Sequence, residues 1–317
     1  MQSHPCILFS GKASQNLEKL IVDDPQITLG KIHHHQFASG EWYCQLKENV
    51  RGADVFLLQA IVNPANDNLM QLLIMADAAR RSSADRITAV VPYLGYARQD
   101  RKDKSRVPIS AKLVLDIIAA AGIDRIVTMD LHAQQIQGFT NLPFDHLYFG
   151  PTLMKVLENK DIDVIVAPDT GAIKKAVEFS EKQKLDFAFI VKKRTNDTTV
   201  ETTQFVGDVA NKNVLILDDL TESGGTLLAA SKECKANGAK QVYCAVTHGC
   251  LTELGYKRMN TAYEAGIING FYCSNTVMDI SENKNYQWMN VINVVDVFQK
   301  AIKGVHNNES ITSLFAI

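Results

Sequence analysis

The sequence of 317 residues lacks the features that would direct it to a membrane or out of the cell. No apolar run approaches the ~18 residues of a membrane span. The N-terminus also lacks the basic and then apolar pattern of a secretory signal peptide. Its six cysteines show no CxxC spacing and several lie in apolar runs, so we expect reduced, buried thiols. Together these absences predict a cytoplasmic protein without a membrane partner.

The chain also has little net charge and lacks two common nucleotide motifs. Its 33 Lys and Arg balance 35 Asp and Glu, which leaves a net charge of −2 and no overall attraction to nucleic acid. No GxxxxGK followed by Ser or Thr is present, which argues against a P-loop kinase. No GxGxxG opens the chain, which argues against a dinucleotide-binding enzyme.

What the chain does contain is enough apolar sequence for two folded domains. Hydrophobic residues make up 46% of the 317 positions, and this length suits two domains of ~150 residues. Short apolar strands alternate with helical patterns in both halves, which predicts α/β folds with parallel sheets flanked by helices. Gly150-Pro151 gives a natural boundary. The halves could be a duplication, although no direct sequence repeat is visible.

The most informative stretch runs from Val214 to Ala230. Residues 214–217 form an apolar run typical of a strand buried on both faces, and Asp218 and Asp219 stand at its carboxyl end. A small-residue loop follows and leads into a helical pattern over residues 227–237. Glycines let backbone N–H groups approach an anion, and a helix N-terminus adds partial positive charge, so the pattern is typical of a phosphate site. A tight turn with two solvated carboxylates explains the stretch equally well.

Two strand ends in the first half also carry polar side chains. After the predicted strand over residues 87–92, a run from Arg98 to Arg106 holds five basic and two acidic side chains. Such a run is commonly a solvated surface. However, ligands bind at the carboxyl ends of strands in open α/β sheets. Arg donates paired hydrogen bonds to phosphates and stacks on bases. His132 follows the strand over residues 126–129 and suits a ligand, a base or a hydrogen-bonded loop residue.

Three consecutive histidines, residues 33–35, lie in a weakly alternating segment that is predicted as a strand. Adjacent residues on a strand point to opposite faces, so the three cannot converge on one metal ion. A surface or interface position is the better interpretation. The segment over residues 37–43 that follows is typical of a hairpin turn.

Over nearly its whole length the chain resembles the ribose-phosphate pyrophosphokinase family, also called phosphoribosyl pyrophosphate synthetases. The 218–226 loop looks like the fingerprint of proteins that bind a 5-phosphoribosyl group. Longer and more specific matches are found at residues 50–55 (VRGADV), 66–70 (NDNLM), 92–102 (PYLGYARQDRK), 106–112 (RVPISAK) and 130–138 (DLHAQQIQG).

The resemblance implies transfer of the pyrophosphoryl group of ATP to the 1-hydroxyl of ribose 5-phosphate, giving phosphoribosyl pyrophosphate and AMP. It implies two phosphoribosyltransferase-like domains, residues 1–148 and 149–302, with the tail 303–317 returning to the first. It also implies Mg²⁺ as cofactor, ATP and ribose 5-phosphate as small-molecule partners, and a homo-oligomer in which dimers build a hexamer.

The resemblance also assigns roles to residues. It implies that ATP is bound by six residues of the first half: Ser39, Gly40, Glu41, Arg98, Gln99 and Arg101. Mg²⁺ would be held by His132 and Asp169, which is acceptable, although Mg²⁺ prefers oxygen. Lys193 and Arg194 would be catalytic, and the polar residues 195–199 fit a lid that closes over substrate. Ribose 5-phosphate would be held by seven residues of the second half: Asp218, Asp219, Glu222, Ser223, Gly224, Gly225 and Thr226.

Three departures from the family pattern bear on these expectations. Ser39 stands where the family shows Asp. Thr195 stands where it shows Arg, which removes one expected phosphate contact. Residues 170–175 replace a segment with two glycines and an Arg-rich helix start. Arg194, Lys174 and Lys175 are therefore candidate substitutes for the missing contact.

These departures leave other functions open. A catalytically silent regulatory homologue would bind synthetase subunits without turnover, although His132, Asp169, Lys193 and the acidic pair are all present. The 218–226 loop alone suggests a phosphoribosyltransferase, but the 92–102 stretch argues against it. A nucleic-acid role would rest only on the basic loop and is weak at a net charge of −2.

Overall fold

The computed structural model describes residues 4–194 and 201–314, with the backbone alone for residues 192–194, 201–203 and 313. The chain divides into two compact units. The first takes in the chain up to Tyr148 and again from Val294, and the second runs from Phe149 to Asn293. Each unit has its own buried apolar core.

Strands and helices alternate along both units. The strands are β1 (Cys6–Ser10), β2 (Thr28–Leu29), β3 (Ile32–Gln36), β4 (Trp42–Leu46), β5 (Asp54–Leu58), β6 (Arg86–Val91), β7 (Arg125–Met129), β8 (Phe144–Leu147), β9 (Val164–Ala167), β10 (Asp186–Arg194), β11 (Glu201–Val206), β12 (Asn213–Thr221), β13 (Gln241–Gly249), β14 (Gly270–Ser274) and β15 (Met289–Ile292). The helices are α1 (Gln15–Ile21), α2 (Ala65–Arg81), α3 (Ser110–Ala120), α4 (Gly150–Leu157), α5 (Ile173–Gln183), α6 (Gly225–Ala236), α7 (Glu253–Glu264) and α8 (Val295–Asn307). In the part of the chain that the structure describes, none of the helices is long and apolar enough to cross a membrane.

A six-stranded parallel sheet forms the centre of the first unit, in the order β2-β1-β5-β6-β7-β8. Every residue of β1 and β5 is buried, as expected of apolar strands covered on both faces. Helices α2 and α3 each turn one face to the core, through side chains such as Leu72, Met75, Leu115 and Ile118. β3 and β4 form a separate antiparallel hairpin.

A seven-stranded sheet forms the centre of the second unit, in the order β11-β10-β9-β12-β13-β14-β15. Its neighbouring strands are parallel except for β10 and β11, which pair antiparallel at one edge. β9 and residues 214–217 of β12 are fully buried. Both units therefore confirm the predicted α/β class, with parallel sheets flanked by helices.

The two sheets share one strand order. The order β2-β1-β5-β6-β7-β8 of the first unit is repeated by β10-β9-β12-β13-β14-β15 in the second. In each sheet the second strand in the chain lies on one side of the first, and the strands from β5 onward in the first sheet and from β12 onward in the second lie on the other side. β11 is an addition at the β10 edge of the second sheet. The gaps between β1 and β5 and between β9 and β12 are therefore topological switch points, where ligands bind in open α/β sheets. This repeated topology fits a duplication.

The units exchange one helix each. α4 follows β8 in the chain but belongs to the second unit, whereas α8 follows β15 but belongs to the first. The expected boundary at residue 302 therefore lies inside α8, while the structure returns to the first unit at Val294. The resemblance places the boundary after residue 302, whereas the structure divides the chain between β15 and α8.

Polar contacts along one face of α8 fasten it to the first unit. Gln299 Nε2 donates to backbone oxygens at the end of α1, at 2.9 and 3.3 Å. Lys303 Nζ lies 2.6 Å from Asp24 Oδ2. His306 Nδ1 lies 2.9 Å from Oδ2 of the buried Asp54. These three side chains share one face because their spacing matches the helical repeat.

The structure also changes several element boundaries. β12 continues through Asp218 to Thr221, because it stays paired with β13 beyond the apolar run. α3 begins at Ser110, two residues after Pro108. α7 escapes prediction because its buried residues are few and include Gly255.

Candidate functional site

Acidic side chains cluster at the switch point of the second unit. Asp169 follows β9, which ends at Ala167, and Asp218 and Asp219 lie within β12. β9 and β12 are paired neighbours. Because the carboxyl ends of parallel strands meet at the same edge of a sheet, the three carboxylates share one edge.

The environment of Asp218 shows how close these carboxylates are. Burial raises the pKa of Asp218 well above its ordinary value of 3.8, and the charges of Asp219 and Asp169 raise it further. The N–H of Asp219 opposes this by donating to Asp218 Oδ1 at 2.9 Å. The structure thus brings the three predicted acidic residues together. A cation or hydroxyl donors would relieve the cost of their concentrated charge.

Backbone hydrogen bonds hold Asp169 at the end of its strand. Its Oδ1 accepts from the N–H groups of Gly171 at 2.9 Å and Ala172 at 3.2 Å. These hydrogen bonds stabilise the turn that leads into α5, and they also fix the position of the Asp169 carboxylate.

The loop after β12 is built to accept an anion. Gly224 has φ +69°, a left-handed conformation that favours glycine, and it directly precedes α6. As the N-cap it offers no side chain to the first N–H groups of the helix, which leaves that end suited to an anion. Ser223 Oγ accepts a long bond of 3.4 Å from Gly225 N–H. The predicted residues Glu222 to Thr226 therefore lie beside the acidic pair in one continuous segment.

Three residues that sequence reasoning missed hold this loop from the side of α7. Thr252 donates to the carbonyl of Glu222 through its N–H at 2.9 Å and its hydroxyl at 3.2 Å. Arg258 donates to the carbonyl of Ser223 at 3.3 Å. A Cβ added at Gly255 would lie 2.3 Å from Glu222 O. The sequence contains one signal for the start of α7. Thr is favoured at the N-cap of a helix, and the Thr252 hydroxyl accepts a hydrogen bond from Gly255 N–H.

The acidic cluster suits Mg²⁺ by the chemistry of its donors. Mg²⁺ prefers oxygen and is commonly held by one or two carboxylates together with substrate phosphates and water. Within residues 4–194 and 201–314, no group of three His, Cys, Asp or Glu side chains is arranged as a complete metal site. Asp169 therefore fits a metal that arrives with phosphate, while Asp218 and Asp219 stand beside it as acceptors for hydroxyl groups. His132 fits less well, because imidazole suits transition metals better.

The predicted catalytic residues lie on β10, the neighbour of β9. The backbone of Lys193 pairs with Thr202, and that of Arg194 pairs with Glu201, in the ladder with β11. The side chains of these two predicted catalytic residues lie outside what the structure describes, as do Thr195 and the rest of the predicted lid up to residue 199.

The two lysines proposed to replace the missing arginine differ in their surroundings. Lys174 is exposed and lies 3.9 Å from Glu178 within α5. The Nζ atom of Lys175 is buried.

In the first unit, Arg98, Gln99 and Arg101 are exposed in the loop after β6. Gln99 anchors this loop to the start of α3. Its carbonyl accepts from Ala111 N–H at 3.2 Å, and its side chain accepts from the hydroxyl of Ser110. The two arginines therefore extend from an anchored loop, which suits recognition of phosphates or a base.

His132 is exposed in the loop after β7, the next strand of the same sheet. The preceding Asp130 is buried and has φ +38°, a strained conformation of the kind that accumulates at functional sites. Gln135 Nε2 donates to Asp100 Oδ2 at 2.8 Å. The loop of His132 and the arginine loop therefore contact each other at one edge of the first sheet.

Ser39, Gly40 and Glu41 form the exposed tip of the β3–β4 hairpin, as the sequence predicts for a turn. Ser39 Oγ donates to Glu41 Oε2 at 2.7 Å. Gly40 has φ +89°, which explains the glycine at this position.

The histidines of β3 alternate between the two faces of the hairpin, as predicted. The rings of His33 and His35 stack on the exposed face with centroids 6.5 Å apart. His34 points the other way, with Nε2 3.1 Å from Ser10 O. The three side chains do not converge, which confirms the surface interpretation.

Two family models match the chain. Residues 6–122 match the N-terminal domain of ribose phosphate pyrophosphokinase. Residues 198–316 match the phosphoribosyl synthetase-associated domain. The two matches fall at opposite ends of the sequence and both describe the same kind of protein.

Similarity to individual proteins extends over almost the whole chain. It is 43% identical to ribose-phosphate pyrophosphokinase A of Dictyostelium discoideum over 312 residues, which cover 98% of this chain and 97% of the relative. It is 41% identical over 313 residues to the ribose-phosphate pyrophosphokinase of Clostridium perfringens, covering 97% of each. A crystal structure of phosphoribosylpyrophosphate synthetase from Mycobacterium smegmatis matches with a TM-score of 0.88 and 35% identity, covering 96% of this chain and 99% of that one.

Proposed function

Because the chain belongs to the ribose-phosphate pyrophosphokinase family, we propose that it is an enzyme that transfers the pyrophosphoryl group of ATP to the 1-hydroxyl of ribose 5-phosphate. The sugar O1 forms a bond to the β-phosphorus of ATP. The bond from that phosphorus to the α,β-bridging oxygen breaks, and AMP leaves with the electron pair. The hydroxyl proton passes to the medium, and phosphoribosyl pyrophosphate is the second product.

One observation carries the proposal: an acidic pair stands beside a glycine loop that leads into the N-terminus of α6, at the switch point of the second unit. Asp218 and Asp219 accept hydrogen bonds from the ribose hydroxyls. Residues 222–226 and the first turn of α6 hold the 5-phosphate. The raised pKa of Asp218 supports this use, because its buried charge has few compensating donors until hydroxyl groups arrive.

Mg²⁺, when bound, neutralises the charge that spreads over the transferred group. Asp169 offers a carboxylate for it at the end of β9, held by two backbone N–H groups. His132 is the ligand we propose from the first unit, at the exposed end of β7.

The nucleotide is bound by residues of the first unit. Arg98 and Arg101 bind its phosphates or stack on its base, and Gln99 fixes their loop. The hairpin tip, Ser39 to Glu41, binds the adenine. Lys193 and Arg194 stabilise the transition state by placing positive charge where negative charge develops.

We further propose a cytoplasmic homo-oligomer in which dimers build a hexamer. Leu113 and Ile117, one turn apart on α3, are 57% and 38% exposed, as apolar interface residues would be in a separate chain. All six cysteines are free thiols, which supports a reducing compartment.

The silent regulatory homologue is not favoured. Proteins named ribose-phosphate pyrophosphokinase match this chain at 43% and 41% identity over nearly its full length. A phosphoribosyltransferase is favoured still less. That function is suggested by the 218–226 loop alone, whereas residues 6–122 match the N-terminal domain of ribose phosphate pyrophosphokinase.

The test is product formation from ATP, ribose 5-phosphate and Mg²⁺. AMP and phosphoribosyl pyrophosphate should appear in equal amounts, and omission of the sugar or Mg²⁺ should abolish both. Formation of ADP in place of AMP would contradict the proposal. Lys193→Ala should lower kcat by about 10³-fold, whereas Lys182→Ala, an exposed lysine of α5, should leave it unchanged.

A further inference from the structure

Two consecutive carbonyls of the sugar-phosphate loop are held by α7. The carbonyl of Glu222 accepts two hydrogen bonds from Thr252, at 2.9 and 3.2 Å. The next carbonyl, of Ser223, accepts from Arg258 Nη1 at 3.3 Å. Both carbonyls are therefore directed toward α7.

This arrangement fixes the direction of the loop N–H groups. In a planar trans peptide the C=O and the following N–H point in opposite directions. The N–H groups of Ser223 and Gly224 are therefore directed away from α7, on the same side of the loop. With Gly224 in the left-handed conformation, successive N–H groups of this kind form an anion-binding concavity.

Arg258 contributes more than one hydrogen bond to this geometry. A Cβ added at Gly225 would lie 3.6 Å from Arg258 Nη1, so the guanidinium lies along the loop as far as the start of α6. Met259 packs under the loop, with its Sδ 3.2 Å from a Cβ added at Gly224. The loop is thus supported from below by an apolar side chain and held at its side by a cation.

We propose that Arg258 is a positioning residue for the sugar phosphate. Its hydrogen bond to the Ser223 carbonyl turns the Gly224 N–H toward the 5-phosphate, and its charge lies behind the loop that binds this dianion. The inference rests on the proposed function, since it takes residues 222–226 as the site of a phosphorylated sugar. Arg258 acts through the loop and does not touch the reacting atoms.

The chain offers a matched control on the same helix. Lys257 is the adjacent residue, is also exposed and carries the same charge, but on a helix it projects about 100° away from Arg258. Lys257→Ala therefore removes a charge from α7 without removing the contact to Ser223. Arg258→Lys keeps the charge but loses the planar, directional donors of the guanidinium.

The experiment measures both KM values, kcat and Tm for Arg258→Ala, Arg258→Lys and Lys257→Ala in the full chain. Arg258→Ala should raise KM for ribose 5-phosphate about tenfold, as expected for loss of a charged donor, with KM for ATP and Tm unchanged. Arg258→Lys should recover part of the loss, and Lys257→Ala should match the wild type.

Three outcomes would overturn the inference: an unchanged KM for ribose 5-phosphate in Arg258→Ala, an equal rise in both KM values, or the same effect from Lys257→Ala. A wild-type protein that forms no AMP would instead defeat the proposed function. Calorimetric binding of ribose 5-phosphate to the same variants tests Arg258 even then, because it needs no turnover.

Discussion

The two units have the same strand order but different contents at their switch points. In the first unit, Gln59 follows β5 and fills the gap beside β1. Its Nε2 donates to Asn68 O and Oδ1, both at 3.1 Å, and its Oε1 accepts from Ala13 N–H at 3.2 Å. A Cβ added at Gly11 would lie 2.3 Å from Gln59 Oε1. The first switch point is therefore closed by the protein itself.

The second switch point has the opposite character. At the corresponding position beside β9, β12 carries the acidic pair Asp218 and Asp219 and runs into a glycine loop. Burial and repulsion from Asp219 and Asp169 raise the pKa of Asp218. The protein alone therefore compensates the negative charge of this site poorly. The same topology thus gives a first switch point whose polar groups are paired within the protein, and a second whose buried negative charge is suited to a ligand. The few residues at the end of each strand determine this difference.

The largest effect that would test this comparison is expected from Asp218→Asn. Turnover should fall about 100-fold, because a charged acceptor of a substrate hydroxyl is lost. Tm should hold or rise, since a buried charge is removed at the same time. AMP formation and thermal unfolding measure the two effects, with the exposed Asp208→Asn as control. Near-normal turnover in Asp218→Asn would remove the acidic pair from the site.

Gln59→Ala should give the reverse result in the first unit. It leaves Ala13 N–H without its partner and opens a cavity at a fully buried position, which should cost about 3 kcal/mol of unfolding free energy. Both KM values should stay unchanged in protein that remains folded. Urea unfolding and steady-state kinetics make the comparison. If Gln59→Ala abolished turnover without lowering stability, the first switch point would have to be counted as functional.

The stability of Asp218→Asn and that of the wild type should depend differently on pH. The pKa of Asp218 is raised in the folded state. Its contribution to stability is therefore full below the ordinary value of 3.8 and is lost as the pH rises through the raised pKa. The stability of Asp218→Asn relative to the wild type should grow as the pH rises from acid to neutral. Urea unfolding over a pH series would show diverging curves, whereas parallel curves would refute a raised pKa.

The smallest effect concerns the exchanged helices. α8 is fastened partly by Lys303, whose hydrogen bond lowers the pKa of Asp24, whereas α4 buries the apolar Leu153 and Leu157. Lys303→Met should lower the unfolding free energy by less than about 1 kcal/mol. The difference should shrink at high salt. It should also vanish in acid, because the contribution of a carboxyl with a lowered pKa is lost as the pH falls through it. A loss that salt and acid leave unchanged would point to packing of the Lys303 stem.

The features that the sequence could predict are those that depend on residues adjacent in the chain. The apolar run of β9 gives its bounds, and the acidic pair followed by Ser223, Gly224 and Gly225 indicates the loop, since these depend on local conformation. Arg258 and Gln59 could not be found in this way. Each acts on residues distant in the chain, and each looks like an ordinary polar side chain until the strands are paired.

The most direct test of the central claim is a crystal structure of the chain with ribose 5-phosphate and Mg²⁺. The account predicts the 5-phosphate within hydrogen-bonding distance of the N–H groups of residues 223–226, and the ribose hydroxyls against Asp218 and Asp219. A sugar phosphate bound at the end of β5 beside Gln59, with the loop after β12 unchanged, would contradict it.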